Sequence, residues 1–555
     1  MKIHLIVVII LTTLIVMCIS SHRTELRELQ FSPTANAKRL FEASWENNTA
    51  NESISLSIIF DGWNATIKGT QEIELSLSSS SVIPFLFENS SILRFDLEKI
   101  EVYGAKVSVK AFYDGKYGIL LLNVTPTRST QKIRLFYTSH YQPLLDINMR
   151  DPIEWHMRST KDYFYIPPEA YMFLSKLRGK FTIKVLHYST DYTLAGILKL
   201  RNGKYKPLLP EEDAFHTDGK RLYILLGRWN IYESTIKIND RNIKVIALTD
   251  EGNVTNALSK ILKVYSSHLI PYPYDELIYI RFKGHRSEYE GYGLYGGALG
   301  TQFKRVIPHE VAHNWFAMYA DLGILNEPFA VYTSSLYNLT SEQVDKWEGL
   351  CLSLKDKTPI ARINGITRQN MNTLYQRGGF ILRSLQFVVG NETFFKGLRE
   401  LLGICHAKDC TQPEETLNLI KEIYENLTNK DLDWFFKEWF YTADYPNFTV
   451  SSLKVIQNGN YYRLILNITE KNGFAMPLEV KIVTPTENIT KRIFVNGSAI
   501  LGVELKEKPL RVIIDPNDWM INADGSNYRV NWENFMLEKI EKEAMELNGV
   551  EIVVN

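Results

Sequence analysis

Hydrophobic and polar residues alternate with a period of two along much of the first half of the chain. The alternation is clearest at residues 53–58, 72–77 and 181–186. A period of two is typical of strands that bury one face, and stretches with helical spacing are scarce in this half. Residues 25–241 are therefore predicted to form a β-rich N-terminal domain.

The spacing changes after this domain. Residues 256–269 place apolar side chains at helical intervals, and residues 276–280 have the composition of a strand. Helical spacing returns at residues 342–355 and 375–389. Helix and strand signals mixed in this way are typical of an α/β unit, so residues 242–442 are predicted to form a second domain.

The next part of the chain returns to strands. Residues 443–446 include Pro446, which cannot continue a helix because it lacks a backbone N–H group. Residues 462–466 and 510–514 then have the composition of strands. Residues 443–531 are therefore predicted to form a β-sandwich.

The end of the chain, residues 532–555, is predicted to be a helix followed by a tail. Apolar positions such as Met536, Ile540 and Leu547 recur there at helical spacing. The predicted fold class is therefore α+β and multidomain, with β-rich units on both sides of an α/β unit.

An apolar run opens the chain. Residues 5–19 are almost continuously apolar behind Lys2. As a helix rising about 1.5 Å per residue they would reach roughly 22 Å, short of the ~30 Å hydrocarbon core of a bilayer. Residues 1–24 are therefore predicted to be a secretory signal peptide, with an uncleaved membrane anchor as the open alternative. Both readings predict an extracellular protein, either secreted or anchored to the outer face of the membrane.

Two other features of the sequence agree with export. Asn-x-Ser/Thr glycosylation sequons number thirteen, whereas composition alone gives roughly five. They lie at Asn47, Asn51, Asn64, Asn89, Asn123, Asn253, Asn338, Asn391, Asn426, Asn447, Asn467, Asn488 and Asn496. Cys405 and Cys410 are spaced as in a small-loop disulfide, a bond typical of exported proteins. A second metal site that uses His406 and Asp409 is the alternative interpretation.

The charge balance argues against a polyanionic partner. The chain has 63 basic and 63 acidic residues, so its formal net charge is zero. Neither nucleic acid nor an anionic membrane surface is favoured. The sequence gives no indication of an oligomeric state.

Candidate chemistry is concentrated in residues 308–315, PHEVAHNW. Residues four apart lie on one face of a helix, so His309 and His313 can bind one metal ion. Glu310 can project beside that ion, where a base is needed to take a proton from attacking water. Zinc, one ion per chain, suits nitrogen and oxygen donors, and Glu327 is the best candidate for a third ligand.

Three segments carry a resemblance to a known family. Residues 309–316, HEVAHNWF, and 325–332, LNEPFAVY, resemble the zinc signature of the aminopeptidase N family of zinc metallopeptidases, which are gluzincins. Residues 375–379, YQRGG, resemble that family's Tyr-Glu-Lys-Gly-Ala segment, whose tyrosine stabilises the transition state.

The resemblance implies both a site and an architecture. Its zinc ligands are His309, His313 and Glu327, its general base is Glu310 and its oxyanion donor is Tyr375. The architecture it implies is an N-terminal β-saddle, a thermolysin-like α/β catalytic domain and a C-terminal β-sandwich. The family commonly adds a large helical domain, for which no sequence remains after the predicted sandwich.

A glycine-rich stretch precedes the histidine motif. Residues 292–300 are predicted to contain an edge strand that binds an extended peptide substrate, because glycine lets a backbone approach its ligand. Gly296, Gly297 and Ala298 are the predicted substrate-binding residues. A flexible loop without a substrate role is the alternative. The family has Gly-Ala-Met-Glu-Asn here, and its glutamate binds the free α-amine of the substrate.

That glutamate has no counterpart in either plausible register. Gly300 takes its position in one and Leu299 in the other. Glu288 or Glu290 could replace it from upstream. Without such a carboxylate, an endopeptidase or a narrower specificity is favoured, because nothing pairs with an N-terminal ammonium.

The connection to the third ligand is short. Thirteen residues separate His313 from Glu327, where the family usually has about eighteen. Gly323 is predicted to close the first helix and Asn326 to cap the second. Glu327 would then lie in the first turn of that second helix, beside Pro328.

These observations favour a zinc metallopeptidase that acts on a peptide or protein, most simply one similar to an aminopeptidase. Two alternatives stay open. One is a zinc endopeptidase that does not recognise the N-terminal amine, and the other is a catalytically inactive, glycosylated surface protein that uses the cleft for binding.

Overall fold

The structure is a computed structural model that describes residues 24–25, 32–43, 48–60, 64–90, 93–141, 158–160, 163–187, 192–217, 221–281, 291–301, 303–522, 527–531 and 536–540. Apart from Thr24, the predicted leader lies outside these residues. No helix in the described ranges combines the length and apolar character needed to span a bilayer.

In its described residues, the N-terminal part contains three sheets and two short helices, α1 (Ala37–Ala43) and α2 (Pro168–Tyr171). Its strands are β1 (Thr24–Glu25), β2 (Ser32–Pro33), β3 (Ala50–Phe60), β4 (Ala65–Leu75), β5 (Ser81–Glu88), β6 (Leu93–Tyr103), β7 (Ala105–Tyr113), β8 (Tyr117–Pro126), β9 (Gln131–Tyr141), β10 (Arg158–Thr160), β11 (Tyr163–Ile166), β12 (Leu174–Ser175), β13 (Phe181–His187), β14 (Thr193–Lys199), β15 (Tyr205–Leu208), β16 (Ala214–Thr217) and β17 (Leu222–Gly227). The sheet orders are β1-β6-β9-β4-β3-β13-β16, β12-β5-β8-β7-β2 and β10-β11-β17-β14-β15.

Alternating burial explains these strands. In β3 every second residue is buried, and Ile54, Leu56 and Ile58 face a core shared with the sheet that contains β5 and β8. The predicted strands at residues 53–58 and 181–186 are confirmed within β3 and β13. The predicted strand at 72–77 is confirmed as far as Leu75, where β4 ends.

A five-stranded sheet follows, made of β18 (Asn230–Ile238), β19 (Arg241–Thr249), β20 (Glu276–Arg281), β21 (Gly291–Leu294) and β22 (Gly297–Gly300). Its order is β18-β19-β20-β22-β21, and β21 is the antiparallel edge strand next to β22. Since β18 pairs with β19, the predicted boundary at residue 241 falls inside a hairpin. The sheet-level boundary lies between β17 and β18.

Helices pack on one face of this sheet. They are α3 (Thr255–His268), α4 (Phe303–Ala312), α5 (Asn326–Asn338), α6 (Ser341–Leu352), α7 (Gly378–Val389), α8 (Asn391–Ala407), α9 (Pro413–Thr428) and α10 (Asp433–Trp439). Short 3₁₀ turns occur at Gly323–Leu325 and Ile360–Arg362, and a π-helical turn at Thr373–Arg377. The helix predicted at 256–269 and the strand predicted at 276–280 are confirmed by α3 and β20.

The C-terminal unit is β-rich, as predicted. Its strands are β23 (Phe448–Asn458), β24 (Tyr461–Glu470), β25 (Ala475–Val483), β26 (Asn488–Asn496), β27 (Ser498–Leu505), β28 (Arg511–Ile514), β29 (Asn527–Asn531) and β30 (Met536–Ile540). They form one curled sheet in the order β23-β24-β27-β26-β25-β28-β29-β30, with its first and last strands close together. Its buried residues continue into the helical core, where the ring of Trp439 lies 5.5 Å from that of Phe474.

The predicted C-terminal helix is wrong over Met536–Ile540. This segment pairs with Asn527–Asn531 as an antiparallel strand, so pairing along the sheet edge overrides the helical spacing of its apolar residues. The other residues of the prediction lie outside the described part of the chain.

Candidate metal centre

Helix α4 presents both motif histidines from one face. His309 lies inside the helix, and His313 follows directly after its last residue, Ala312. The opposite face includes Ile307 and Val311, which are fully buried in the core. The helix is also held at Pro308, whose carbonyl accepts a hydrogen bond of 2.9 Å from the hydroxyl of Tyr265. A buried face and a fixed carbonyl together set the direction of both imidazoles.

Three donor atoms converge next to this helix. The Nε2 atoms of His309 and His313 lie 3.2 Å apart, and Oε2 of Glu327 lies 3.1 Å and 3.5 Å from them. Zinc bonds of about 2.0–2.1 Å in a tetrahedron put neighbouring ligand atoms about 3.4 Å apart. The three separations therefore match three corners of a tetrahedron, and the residues fit a zinc ion.

The imidazole of His313 has its orientation set by a second contact. Its Nδ1 atom lies 3.0 Å from the carbonyl oxygen of Phe316, which can only accept a hydrogen bond. With the proton on Nδ1, Nε2 keeps its lone pair for a metal.

Glu327 reaches the site from the first turn of α5. The short connection before it is tightened by Asn326, whose side chain accepts from the backbone N–H of Leu322 at 2.9 Å and donates to Asp321 at 2.9 Å. The predicted cap at Asn326 is wrong, because its side chain bonds backward into the connection. The prediction that Gly323 closes the first helix is wrong too, since α4 already ends at Ala312 and Gly323 begins a 3₁₀ turn at a φ of 62°.

The electrostatics of the cluster favour a cation. Burial alone would raise the pKa of Glu327, but His313 and His309 hold it well below its usual range. Burial would likewise lower the pKa of His313, but the carboxylates of Glu327 and Glu310 raise it to about 9. The same negative charges that stabilise an imidazolium in this pocket would stabilise a metal ion.

Glu310 lies beside the cluster rather than within it. It is only 7% exposed, and a carboxylate oxygen lies within 4.8 Å of both imidazole donors. Glu327 is the closer carboxylate, and therefore the better ligand. Burial raises the pKa of Glu310, although the nearby histidines and the backbone N–H of Gly293 act in the opposite direction. A buried carboxylate with a raised pKa is suited to accept and return a proton.

The edge strand β21 packs directly on α4 through its glycines. A Cβ atom on Gly291 would collide with Val306 and Glu310, and one on Gly293 would collide with His313. The edge strand predicted within residues 292–300 is therefore confirmed over residues 292–294. The alternation of glycines in residues 291–294, GYGL, is typical of a strand with one bare face.

The predicted substrate-binding residues Gly296, Gly297 and Ala298 lie outside this edge strand. Strand β22, which begins at Gly297, lies between β20 and β21 and pairs with both. Ala298 is fully buried, and the carbonyl oxygens of Gly296 and Gly297 accept hydrogen bonds from Ile278 and Asn314. A peptide therefore cannot pair with these residues. Glu288 and Glu290 lie outside the described residues.

Tyr375 lies over the other side of the cluster. Its ring stacks on His309 at 5.8 Å between centroids, and its hydroxyl lies near enough to Glu327 and Glu310 to be affected by their charges. Burial and the carboxylates of Glu327 and Glu310 raise the pKa of Tyr375 far above its usual value, so the hydroxyl keeps its proton. Gly378 and Gly379 allow this approach, because a Cβ on either would press against Pro328 or Val331 of α5.

The predicted disulfide between Cys405 and Cys410 is present. Because their sulfur atoms are bonded to each other, these two cysteines are not metal ligands. His406, inside the disulfide loop, stacks on Tyr319 at 4.0 Å between ring centroids, and its Nδ1 lies 3.0 Å from the Tyr319 carbonyl oxygen. The loop thus contacts the connection between the second histidine and Glu327.

Comparison with known proteins agrees with this geometry. Residues 298–439 match the family model described as the peptidase family M1 domain. A relative described as probable aminopeptidase 1, from Sulfurisphaera tokodaii, is 24% identical over 279 residues, which are 42% of this chain and 34% of the relative. The chain therefore matches about a third of the length of that relative.

Two solved structures are also similar. An M1 zinc metallopeptidase from Deinococcus radiodurans is 17% identical, with 69% of this chain and 92% of that chain covered and a TM-score of 0.43. Aminopeptidase A from Legionella pneumophila, in complex with aspartic acid, is 11% identical, with 86% of this chain and 60% of that chain covered and a TM-score of 0.49.

Proposed function

We propose that this chain, a member of peptidase family M1, hydrolyses peptide bonds as a zinc-dependent, aminopeptidase-like enzyme. The observation that supports this most directly is the convergence of His309, His313 and Glu327 at separations of 3.1–3.5 Å. A binding scaffold would need neither the buried Glu310 nor the protonated Tyr375 beside that cluster.

The side chains divide the chemistry between them. His309, His313 and Glu327 would hold the zinc ion, which when bound supplies a Lewis acid to polarise a carbonyl and activate water. Glu310 accepts a proton from the attacking water and returns it to the departing amine. Tyr375 donates its hydroxyl hydrogen to the carbonyl oxygen of the substrate as negative charge develops there.

The substrate is proposed to lie along β21 as an extended peptide. This strand is at the edge of its sheet and packs on the helix that presents both histidines. Edge strands bind extended peptides through main-chain hydrogen bonds. The scissile bond would then run past Glu310 and Tyr375.

A zinc endopeptidase is the second candidate. In the described residues of β21, Gly291–Leu294, no carboxylate is available to pair with an N-terminal ammonium. Peptides with a free or an acetylated N-terminus, otherwise identical, separate the two. An aminopeptidase releases the first residue of the free peptide and leaves the acetylated one intact, whereas an endopeptidase cleaves both.

Export and glycosylation are proposed on the grounds of the apolar leader and the thirteen sequons, with a tether through the leader as one form of export. Among the sequon asparagines whose burial the structure describes, eight are exposed, namely Asn51, Asn64, Asn123, Asn253, Asn391, Asn426, Asn488 and Asn496. Production in a glycosylating host should give a protein that loses mass on enzymatic deglycosylation. An unchanged mass would contradict the proposal.

The decisive experiment on function combines zinc analysis with peptide hydrolysis. The wild-type protein should contain one zinc per chain and hydrolyse members of a mixed peptide library. Glu310→Gln should keep the zinc and lose hydrolysis by a factor on the order of 10³, because it removes the base but no ligand. Zinc-loaded wild-type protein without hydrolysis would favour the binding-protein alternative.

A further inference from the structure

Arg377 is a buried cation with an unusual set of partners. Only 2% of its surface is exposed. Its guanidinium donates to three consecutive carbonyl oxygens, those of Thr442, Ala443 and Asp444, at 2.8, 2.6 and 3.0 Å. It also lies 4.8 Å from the ring centroid of Tyr445. These partners lie in the junction between α10, the last helix before the C-terminal β-unit, and that unit.

The same π-helical turn, Thr373–Arg377, contains both Tyr375 and Arg377. Single π-helical turns are rare and are frequent at functional sites. Other contacts hold the turn on two sides. The indole N–H of Trp347 in α6 donates to the carbonyl of Gln376 at 3.0 Å, and Gly378 packs on Pro328 of α5. Arg377 supplies the third attachment, to the domain junction.

Arginine suits this attachment better than lysine. Its planar guanidinium offers several N–H groups in fixed directions, so one side chain can bind neighbouring carbonyls and remain flat against an aromatic ring. A lysine ammonium could neutralise the same carbonyl dipoles but could not reproduce this fork geometry.

We propose that Arg377 is a positioning residue for Tyr375, which couples the C-terminal β-unit to the active site. The proposal rests on the proposed function, since it assigns Arg377 to the oxyanion donor of that reaction. The carbonyls of residues 442–444 fix Arg377, and the π-helical turn transmits that position over two residues to the tyrosine hydroxyl. The junction with the C-terminal unit thereby influences kcat through Tyr375.

A second arginine provides a matched control. Arg383, in α7, is 9% exposed and donates to the carbonyls of Asn517 and Asp518 in the C-terminal unit at 2.8 and 3.0 Å. Its guanidinium lies 4.4 Å from the ring centroid of Trp519. It therefore makes the same kinds of contact, with the C-terminal unit itself and not with the junction, from a helical position eight residues beyond Tyr375.

The test is a double-mutant cycle on the zinc-loaded, full-length protein. Arg377→Met should lower kcat at least tenfold and leave KM within about twofold, because substrate binding does not use Tyr375 in the ground state. In the presence of Tyr375→Phe, the same Arg377→Met change should leave kcat unaltered, since the hydroxyl that it positions is already absent. Arg383→Met should lower the Tm comparably and keep kcat within about twofold.

Two outcomes would overturn the proposal. One is a loss of kcat on Arg377→Met that is equally large with and without Tyr375→Phe, and the other is an equal loss on Arg383→Met. If Arg377→Met does not fold, Arg377→Lys takes its place, with a loss of at least threefold expected only when Tyr375 is present. A wild-type kcat in Arg377→Lys would then contradict the proposal.

These failures differ from a failure of the proposed function. Full activity in both Glu310→Gln and Tyr375→Phe would contradict the proposed catalytic mechanism itself. If those two variants lose activity, but Arg377→Met lowers kcat equally with and without Tyr375→Phe, only the positioning role is contradicted.

Discussion

Helix α4 and the π-helical turn at Thr373–Arg377 bring residues to the same cluster by different means. The helix places two histidines through its own repeat, and its buried face packs in the general core. The turn has no such repeat. Tyr375 reaches the cluster because glycines allow close packing on α5 and because α6 and the domain junction fix the turn.

The position of the histidines is thus set by the local helical repeat, whereas the position of Tyr375 is set by tertiary packing. Positions fixed by a helical repeat should tolerate changes in the surrounding domains. Positions fixed by packing should respond to substitutions far from the metal in sequence. Three variants, in order of decreasing effect, test this contrast.

Tyr375→Phe should have the largest effect. Loss of one hydrogen-bond donor to a developing oxyanion costs about 10²–10³ in kcat. Zinc content should be unchanged, because the hydroxyl is not part of the ligand set. Steady-state kinetics with parallel metal analysis checks this, and an unchanged kcat would remove Tyr375 from the reaction.

Gly293→Ala should have the next largest effect. The new methyl group would collide with His313, so β21 or α4 must shift, at a cost of about 1–3 kcal/mol in the free energy of unfolding. Denaturant unfolding measures this cost. The matched control is Gly403→Ala on α8, where a Cβ meets nothing within 4 Å and the change should be neutral or slightly stabilising. Equal stabilities of the two variants would contradict the close packing of β21 on the metal helix.

Joint replacement of Cys405 and Cys410 by serine should have the smallest effect at the site. Opening so small a loop costs about 2 kcal/mol of stability. Because His406 in that loop stacks on Tyr319, zinc affinity should also fall, but by less than tenfold. Thermal unfolding and a chelator competition measure the two effects. A loss of zinc affinity greater than a hundredfold would make the disulfide loop a primary determinant of the site.

The same contrast explains how much the sequence could predict. The spacing of His309 and His313 is local, and strand alternation in β3 and β13 reports burial directly. The sequence predicts an edge strand within residues 292–300 but does not distinguish β21 from its interior neighbour β22, because several glycines there have similar local signals. Only the partner strand distinguishes an interior from an edge position.

Tertiary pairing also accounts for the remaining errors. The helical spacing in residues 536–540 is real, yet the segment pairs as a strand with Asn527–Asn531. Asn326 has the residue type of a helix cap, but its side chain forms hydrogen bonds with Asp321 and Leu322 in the short connection. Arg377 gave no signal, because its partners lie more than 60 residues away in sequence.

The most direct test concerns which carboxylate completes the metal site. Zinc affinity should be measured for Glu327→Ala and for Glu310→Ala, two carboxylates that both lie near the histidine pair. The geometry predicts that Glu327→Ala loses zinc affinity by at least a hundredfold, while Glu310→Ala retains zinc and loses hydrolysis. Retention of zinc by Glu327→Ala together with its loss from Glu310→Ala would contradict the assignment of ligand and base.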